Sequence, residues 1–283
     1  PSSPRCQPNR GMTLPSTDSA VSYPAAAVRG TATVVHLESL GDGRTAVLLD
    51  ATPCHPVDAG WPDQGADRAT LSWDGTSIPV LDCVIGATDG IRLSLGAEIP
   101  VRKGTEGWTF VVAHLVGGEP PSLAQSVTVN VDADQRHAVS LGHTGCHLAS
   151  LALNRALANR WTKETALDAL GDPDFDKLAI DSSTILPFGS VDTFRLNKSL
   201  RRKGFVSEGL ADALAATEQA LNESLAAWIS TAFAHTLLGI AAACAFEPRL
   251  VEKLYTPLAK MYQPLAVASA QDAAHTFAYP VAL

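Results

Sequence analysis

Two histidines four residues apart, His143 and His147, carry the sharpest chemical signal in the sequence. Side chains at positions i and i+4 lie on one face of a helix, so the two imidazoles can converge on one ion. Neutral imidazole is a good ligand for Zn²⁺, which usually binds four nitrogen, sulfur or oxygen donors. Cys146, three residues after His143, can lean toward the same face. On spacing alone, however, two unrelated histidines, one capping the helix and one on its surface, are the more frequent explanation.

Common catalytic motifs are missing from the sequence. No Glu follows His143 directly, so the HExxH pattern of metalloproteases is absent. There is also no phosphate-binding P-loop, no Gly-x-Gly-x-x-Gly and no Gly-x-Ser-x-Gly motif. These absences direct attention back to the histidine pair.

A second pair, Cys54 and His55, could also donate to a metal. Pro53 and Pro56 flank the pair and fix the segment as a loop. We therefore favour a structural role for this loop over metal binding.

Four basic residues are clustered in an otherwise acidic chain: Lys198, Arg201, Arg202 and Lys203. Such a cluster can contact nucleic-acid phosphates by a salt-sensitive attraction that does not depend on base sequence. On composition alone, a solvated charged loop is the commoner explanation.

The composition indicates a folded, acidic protein. The 283 residues are 46% hydrophobic and 18% charged, which is enough to bury a core. The 21 Lys and Arg against 29 Asp and Glu give a formal net charge of −8, which excludes a broadly basic surface for coating nucleic acid but not a local patch. Five cysteines, an odd number, fit a reducing compartment, and we expect a cytoplasmic protein.

The elements that must position these side chains change in type near residue 132. Upstream, short runs rich in Val, Thr and Leu alternate with Gly-containing turns, which predicts a small barrel or sandwich. Downstream, helical spacing predicts helices over residues 144–161 and 210–233, with strands over 178–185 and 190–196 between them. The upstream strands are predicted at residues 32–37, 45–49, 69–73, 78–84, 91–95, 108–115 and 126–131.

The two ends of the chain bear on its location. The polar N-terminal residues lack the apolar core of a signal peptide. Between Glu223 and Glu247 no residue is charged, which meets the length criterion for a membrane span. Polar residues interrupt this stretch and Ala supplies most of its apolarity. We favour a buried Ala-rich helix over a membrane anchor through residues 225–246.

Several motifs, in order, resemble one family. The segment Leu-Gly-His-Thr-Gly-Cys-His-Leu at residues 141–148 resembles the start of the editing domain of alanyl-tRNA synthetases and of the free-standing AlaX-type alanyl-tRNA editing proteins. Upstream, Thr-Pro-Cys-His-Pro at residues 52–56 and Gly-Trp-Pro-Asp-Gln at 60–64 resemble the Thr-Pro and Gln-containing loop of that family. Downstream, Asn-Lys-Ser-Leu-Arg-Arg-Lys-Gly-Phe at 197–205 resembles a bacterial branch of these deacylases. The resemblance covers roughly residues 28–230.

The resemblance implies an α+β protein, with a small N-terminal β-barrel followed by a two-layer α+β editing domain. It implies a flexible arm at residues 1–27, a barrel domain at 28–131 and the metal-dependent editing domain at 132–283. The implied protein is a zinc-dependent, ATP-independent hydrolase that acts in trans on the acceptor end of mischarged aminoacyl-tRNA. DNA and membranes are not expected partners.

The resemblance also implies roles for individual residues. His143 and His147 match the family's first ligand pair, and Gln64 and Cys146 fall at positions we assign to catalysis. The basic cluster is then favoured as a tRNA contact.

The chain departs from the family pattern at the second ligand pair. The family's late Cys-x-x-x-His motif does not occur here. We assign Cys244 as a further ligand, with His235 and His275 as other late candidates, and Cys146 as an alternative. A non-catalytic tRNA-binding relative that has lost the zinc site is the competing hypothesis. The amino acid removed is either serine or glycine from tRNA for alanine, or a threonine analogue such as fluorothreonine.

Overall fold

The chain folds into two compact units, residues 1–133 and 134–283, which we call the first and second unit. The structure is a computed structural model and describes residues 13–58, 60, 62–230 and 274–280. No helix within these residues is long and apolar enough to cross a membrane. Most of the segment 225–246, on which the membrane-anchor alternative depends, lies outside them.

The first unit is built from strands. Seven of them form one antiparallel sheet in the order β5-β9-β2-β3-β8-β6-β7, and β1 pairs with β4 in a separate parallel pair. An additional pairing of β5 with β6 closes six of the seven into a ring, which we call the strand ring. The strands are β1 (Ala20–Val21), β2 (Arg29–Ser39), β3 (Arg44–Leu49), β4 (Ala51–Thr52), β5 (Ala69–Trp73), β6 (Thr76–Thr88), β7 (Leu93–Leu95), β8 (Thr109–Gly117) and β9 (Ser126–Val131).

The apolar residues of the strand ring lie in two clusters. Along β9 buried and partly exposed residues alternate, as expected for a strand with one face in a core. The central strand β8 is buried at seven successive positions, so both of its faces are covered. One face contributes Val112 and Val116 to the main cluster, and the other contributes Val111 and Ala113 to a second, smaller cluster.

The second unit combines helices with a three-stranded antiparallel sheet in the order β10-β11-β12. Its core includes Leu153, Phe175, Phe194, Leu221 and Trp228. The elements are α1 (Ala133–Ala156), α2 (Phe175–Ala179), β10 (Ile180–Leu186), β11 (Gly189–Arg195), α3 (Lys198–Arg202), α4 (Leu214–Ser230) and β12 (Ala274–Pro280).

The predicted α+β class is confirmed, and each predicted upstream strand is present with shifted or equal bounds. The first predicted helix was wrong at its start, because α1 begins at Ala133 and not at 144. The HxxxH motif therefore lies in mid-helix. The predicted strand over 178–185 was wrong in its first part. There the Asp174 side chain accepts from the backbone N–H of Lys177 and caps the short helix α2, so that β10 begins only at Ile180.

Candidate functional site

A glycine lets helix α1 approach the β10–β11 hairpin backbone to backbone. A Cβ atom on Gly142 would lie 2.1 Å from the carbonyl oxygen of Leu186 and 2.6 Å from that of Gly189. No side chain fits at this distance, so only glycine permits the contact. The close approach places the helix segment that carries His143 against the hairpin.

The two histidines lie together on α1, as their spacing predicts. The ring centroids of His143 and His147 are 4.9 Å apart, and the ring planes are inclined by 35°. Both side chains are half-buried. Their position leaves them reachable from solvent, which a hydrolytic site requires.

Cys146 points from the same helix into a buried polar cluster on the sheet. Its Sγ lies 3.6 and 3.7 Å from the two carboxylate oxygens of Asp192 and 3.9 Å from Ser183 Oγ. The hydroxyls of Ser183 and Ser190 also donate to Asp192. Asp192 is therefore a buried carboxylate that accepts from three side chains.

Burial sets the ionisation of these groups. It raises the pKa of the Asp192 carboxyl, while hydrogen bonds from Ser183 and Cys146 and the nearby His147 act in the opposite direction. Burial, followed by the charge of Asp192, raises the pKa of Cys146 to about 12. Burial and the charge of Asp192 also raise the pKa of Asp176 to about 6. The Cys146 thiol is therefore protonated at neutral pH.

The donor chemistry around the histidine pair fits zinc in part. Two imidazoles on one helical face are suitable ligands. Within the described residues, no third Cys, His or acidic group joins them to form a set whose ligand atoms all lie within 4.8 Å. Cys146 is engaged with Asp192, and Cys244 and His235 lie outside the described residues. For His275 the structure gives a backbone position only, paired with Phe194.

Gln64, which the sequence analysis assigned to catalysis, lies in the first unit and is buried. The structure does not bring it together with Cys146 within one unit. The catalytic assignments of both residues remain predictions.

The basic cluster occupies the short helix α3 and the residue that follows it. Its four side chains are all exposed. Lys163, which the sequence analysis did not select, approaches the same place, because its Nζ donates to the carbonyl of Arg202 at 3.0 Å. No spacing in the sequence connects residue 163 with this helix, so the contact could be found only from the fold.

A different set of potential metal ligands lies in the first unit. Cys54, Cys83 and His114 each place a ligand atom within 4.8 Å of the other two. These three side chains could hold a metal ion. In the part of the chain that the structure describes, this is the one such group of three. Cys54 was a candidate ligand from the sequence, whereas Cys83 and His114 were not predicted. The available signal was a Cys and a His within two predicted apolar strands.

The pKa values of the Cys54 and Cys83 thiols are shifted in opposite directions. The pKa of Cys54 is lowered to about 5, chiefly by the hydrogen bond from Cys83, against the effect of burial. Burial raises the pKa of Cys83, with the hydrogen bond to Cys54 as the second cause. One thiolate, assigned to Cys54, is therefore favoured in this pair.

The chain is similar to several proteins named alanine–tRNA ligase. It is 32% identical over 135 residues to the one from Frankia casuarinae, a match that covers 48% of this chain and 13% of the relative. It is 30% identical over 141 residues to that of a Parafrankia species, covering 50% of this chain and 14% of the relative. The alanine–tRNA ligase of Pyrobaculum neutrophilum is 30% identical over 118 residues, which are 42% of this chain and 10% of the relative. No protein-family profile matches the chain. The chain thus spans a small part of the length of these relatives.

Proposed function

We propose that this chain is a trans-acting hydrolase that removes a mischarged amino acid from the acceptor end of tRNA. The observation that carries the proposal is the His143–His147 pair on α1, with its ring centroids 4.9 Å apart, in a chain similar to alanine–tRNA ligases. The substrate bond is an ester, which is already activated toward hydrolysis. Positioning and electrostatic help are therefore sufficient to accelerate its cleavage.

His143 and His147 are the residues that would hold a zinc ion in this site. When bound, such an ion with an open position supplies Lewis acidity and a bound water of lowered pKa. We assign Cys244 as a further ligand because it is a late cysteine of the chain, although it lies in no recognisable motif.

The chain's own residues give the site its electrostatic character. His147 lies near enough to Asp192 to lower the pKa of that carboxyl, against the larger effect of burial. Ser183 and Ser190 hold this carboxylate by donating to it, which keeps it fixed beneath the helix. A fixed carboxylate beside a ligand histidine orients the ring and raises its basicity. We propose this positioning role for Asp192.

The cysteine of the motif fits a structural part of the site better than a nucleophile. With a pKa of about 12, the Cys146 thiol donates to Asp192 and does not attack an ester at neutral pH. We propose that Cys146 contributes to catalysis by holding Asp192. Gln64 remains proposed as the second catalytic residue, on the resemblance alone.

The exposed basic cluster on α3 is the proposed contact with tRNA phosphates. Its side chains are exposed, and the attraction between such charges and a phosphate backbone is electrostatic and salt-sensitive. Lys163 adds a fifth positive charge at the same place. We further propose that the strand ring is the small β-barrel of the editing proteins, and that the enzyme works in the cytoplasm in translation fidelity.

The proposed amino acid is serine or glycine carried by tRNA for alanine, or a threonine analogue such as fluorothreonine. Pocket shape and hydrogen bonds to the amino-acid side chain decide between them. Parallel assays on these mischarged tRNAs with one protein preparation would rank them.

The test compares His143→Ala with His137→Ala. His137 is an exposed histidine on the same helix, so its removal controls for the loss of an imidazole from α1. We expect wild type and His137→Ala to shorten the half-life of the mischarged ester, and His143→Ala to leave it at the uncatalysed value. Equal activity in all three proteins would contradict the role of the pair.

The competing function is a non-catalytic tRNA-binding protein without zinc at this pair. Within the described residues the pair lacks a third ligand, and this observation favours it. The two functions separate in the same experiment, because this alternative predicts tRNA binding with an uncatalysed ester half-life in the wild type.

A further inference from the structure

The Cys54, Cys83 and His114 side chains meet inside the first unit, whereas the histidine pair proposed for hydrolysis belongs to the second unit. Each of the three has 0% of its surface exposed. Cys54 and Cys83 belong to the main apolar cluster of the strand ring, among Val and Leu side chains. Buried cysteines alone are common in such cores, where they act as small apolar residues. The histidine is the feature that this explanation does not cover.

Backbone pairing brings the three donors together from three separate segments. Cys83 on β6 and His114 on β8 are direct partners in the antiparallel ladder, so their side chains share one face of the sheet. Cys54 lies in the loop after β4. That loop is tied to β6 where the backbone N–H of Val57 donates to the carbonyl of Cys83 at 2.8 Å. The geometry is therefore fixed by main-chain hydrogen bonds, independently of any ion.

The imidazole of His114 is oriented as a metal ligand. Its Nδ1 lies 3.2 Å from the carbonyl oxygen of Val47, and only a protonated Nδ1 can donate there. The other nitrogen, Nε2, then carries a lone pair. A backbone carbonyl that holds the far ring nitrogen is the usual outer support of a histidine ligand. Thr52 Oγ1, 2.8 Å from Nε2, is a neutral oxygen beside the same three donors.

We propose that Cys54 Sγ, Cys83 Sγ and His114 Nε2 bind one Zn²⁺ ion inside the strand ring. Two thiolates and an imidazole are donors that zinc prefers, with Thr52 Oγ1 or a water as the fourth. Binding replaces the remaining thiol protons, which leave to the solvent. Because the three side chains are wholly buried, no substrate reaches the ion. Its role is to fasten the loop that carries Cys54 to β6 and β8. The proposal does not rest on the proposed hydrolase activity.

The test measures zinc in protein prepared without chelator, in a His143→Ala/His147→Ala background that removes the other proposed site. This background is expected to keep one equivalent of zinc per chain. Adding Cys83→Ala should abolish it. Adding Val80→Ala, which truncates another buried residue of the same strand and core cluster, should not. A background protein that is folded by circular dichroism but free of zinc would overturn the proposal.

A second measurement keeps the proposal testable where Cys83→Ala fails to fold. The background protein is stripped of metal under reducing conditions and titrated with Co²⁺, which gives a thiolate-to-cobalt charge-transfer absorption when cysteine sulfur binds it. We expect that absorption to appear with one equivalent of Co²⁺ and to disappear when Zn²⁺ is added. Absence of the band, or a Cys54–Cys83 disulfide found in the freshly isolated protein, would contradict a zinc site. Copper in place of zinc in the isolated protein would contradict it as well.

Discussion

Replacing Gly142 or Gly145 of helix α1 by Ala should change the free energy of unfolding in opposite directions. In α1, a Cβ on Gly142 would meet three backbone atoms of the β10–β11 turn, the nearest at 2.1 Å, whereas a Cβ on Gly145 would meet nothing within 4 Å. Replacing Gly by Ala inside a helix stabilises it by about 0.5–1 kcal/mol, because the unfolded chain loses freedom. Gly145→Ala should therefore raise the free energy of unfolding by about that amount.

Gly142→Ala adds a steric cost that exceeds this gain. Forcing an extra methyl group into a packed contact costs about 1–3 kcal/mol, and here the neighbours are backbone atoms that cannot rotate away. Taking roughly 3 kcal/mol for the clash and roughly 1 for the helix gain leaves a net loss of about 2 kcal/mol. The two variants should differ by about 3 kcal/mol.

Urea unfolding followed by far-ultraviolet circular dichroism measures this difference. Apart from Ala133, the first residue of α1, the described α-helices lie in the second unit, so the helical signal reports the unit that carries both glycines. We expect the midpoint to fall for Gly142→Ala and to rise for Gly145→Ala, with unchanged slopes. A stabilised Gly142→Ala, or equal shifts of the same sign, would refute the backbone contact.

Three further predictions concern the second unit. Burial raises the folded-state pKa of Asp176 from 3.8 to about 6, so the free energy of unfolding falls as the pH rises through that interval. Asp176→Asn should therefore raise the free energy of unfolding at neutral pH by at most about 3 kcal/mol. Urea titrations at several pH values should show that this gain vanishes below pH 3.8. The Cys146 thiol, with its pKa of about 12, should resist iodoacetamide in the folded protein and react only after denaturation, as peptide mass spectrometry would show. Neutralising the four residues of the basic cluster should weaken tRNA binding. The slope of log affinity against log salt concentration should become shallower by roughly 3, since each phosphate contact contributes about 0.7–0.9. An unchanged slope would place the tRNA contact elsewhere.

Local patterns in the sequence were sufficient for the seven strands of the large sheet, but not for the two-residue strands β1 and β4. Alternating Val, Thr and Leu between Gly-containing turns gave β5 and β9 with the bounds that the structure has. The start of α1 was missed for a tertiary reason. Gly142 and Gly145 weaken a helical pattern read locally, and the need for Gly142 becomes visible only when the hairpin at Leu186 is placed against it.

Register explains why one potential metal site was predicted and the other was not. His143 and His147 are neighbours because of the helical repeat, which sequence spacing contains. Cys83 and His114 are neighbours because β6 and β8 pair in one register, and a slip of one residue would turn His114 to the opposite face. The spacing of Cys83 and His114 in the sequence does not predict that register.

The two potential metal sites of this protein differ in the number of ligands they bring together and in their access from solvent. The Cys54–Cys83–His114 group brings three donors together but exposes none of them, and a catalytic zinc needs an open position that a substrate can reach. The His143–His147 pair brings fewer donors but is half-buried, and His147 is near enough to the buried Asp192 carboxyl to lower its pKa. Since an ester on tRNA must enter the site to be cleaved, access decides the assignment. We therefore assign the proposed hydrolysis to the histidine pair, and a stabilising role to the zinc site proposed in the first unit.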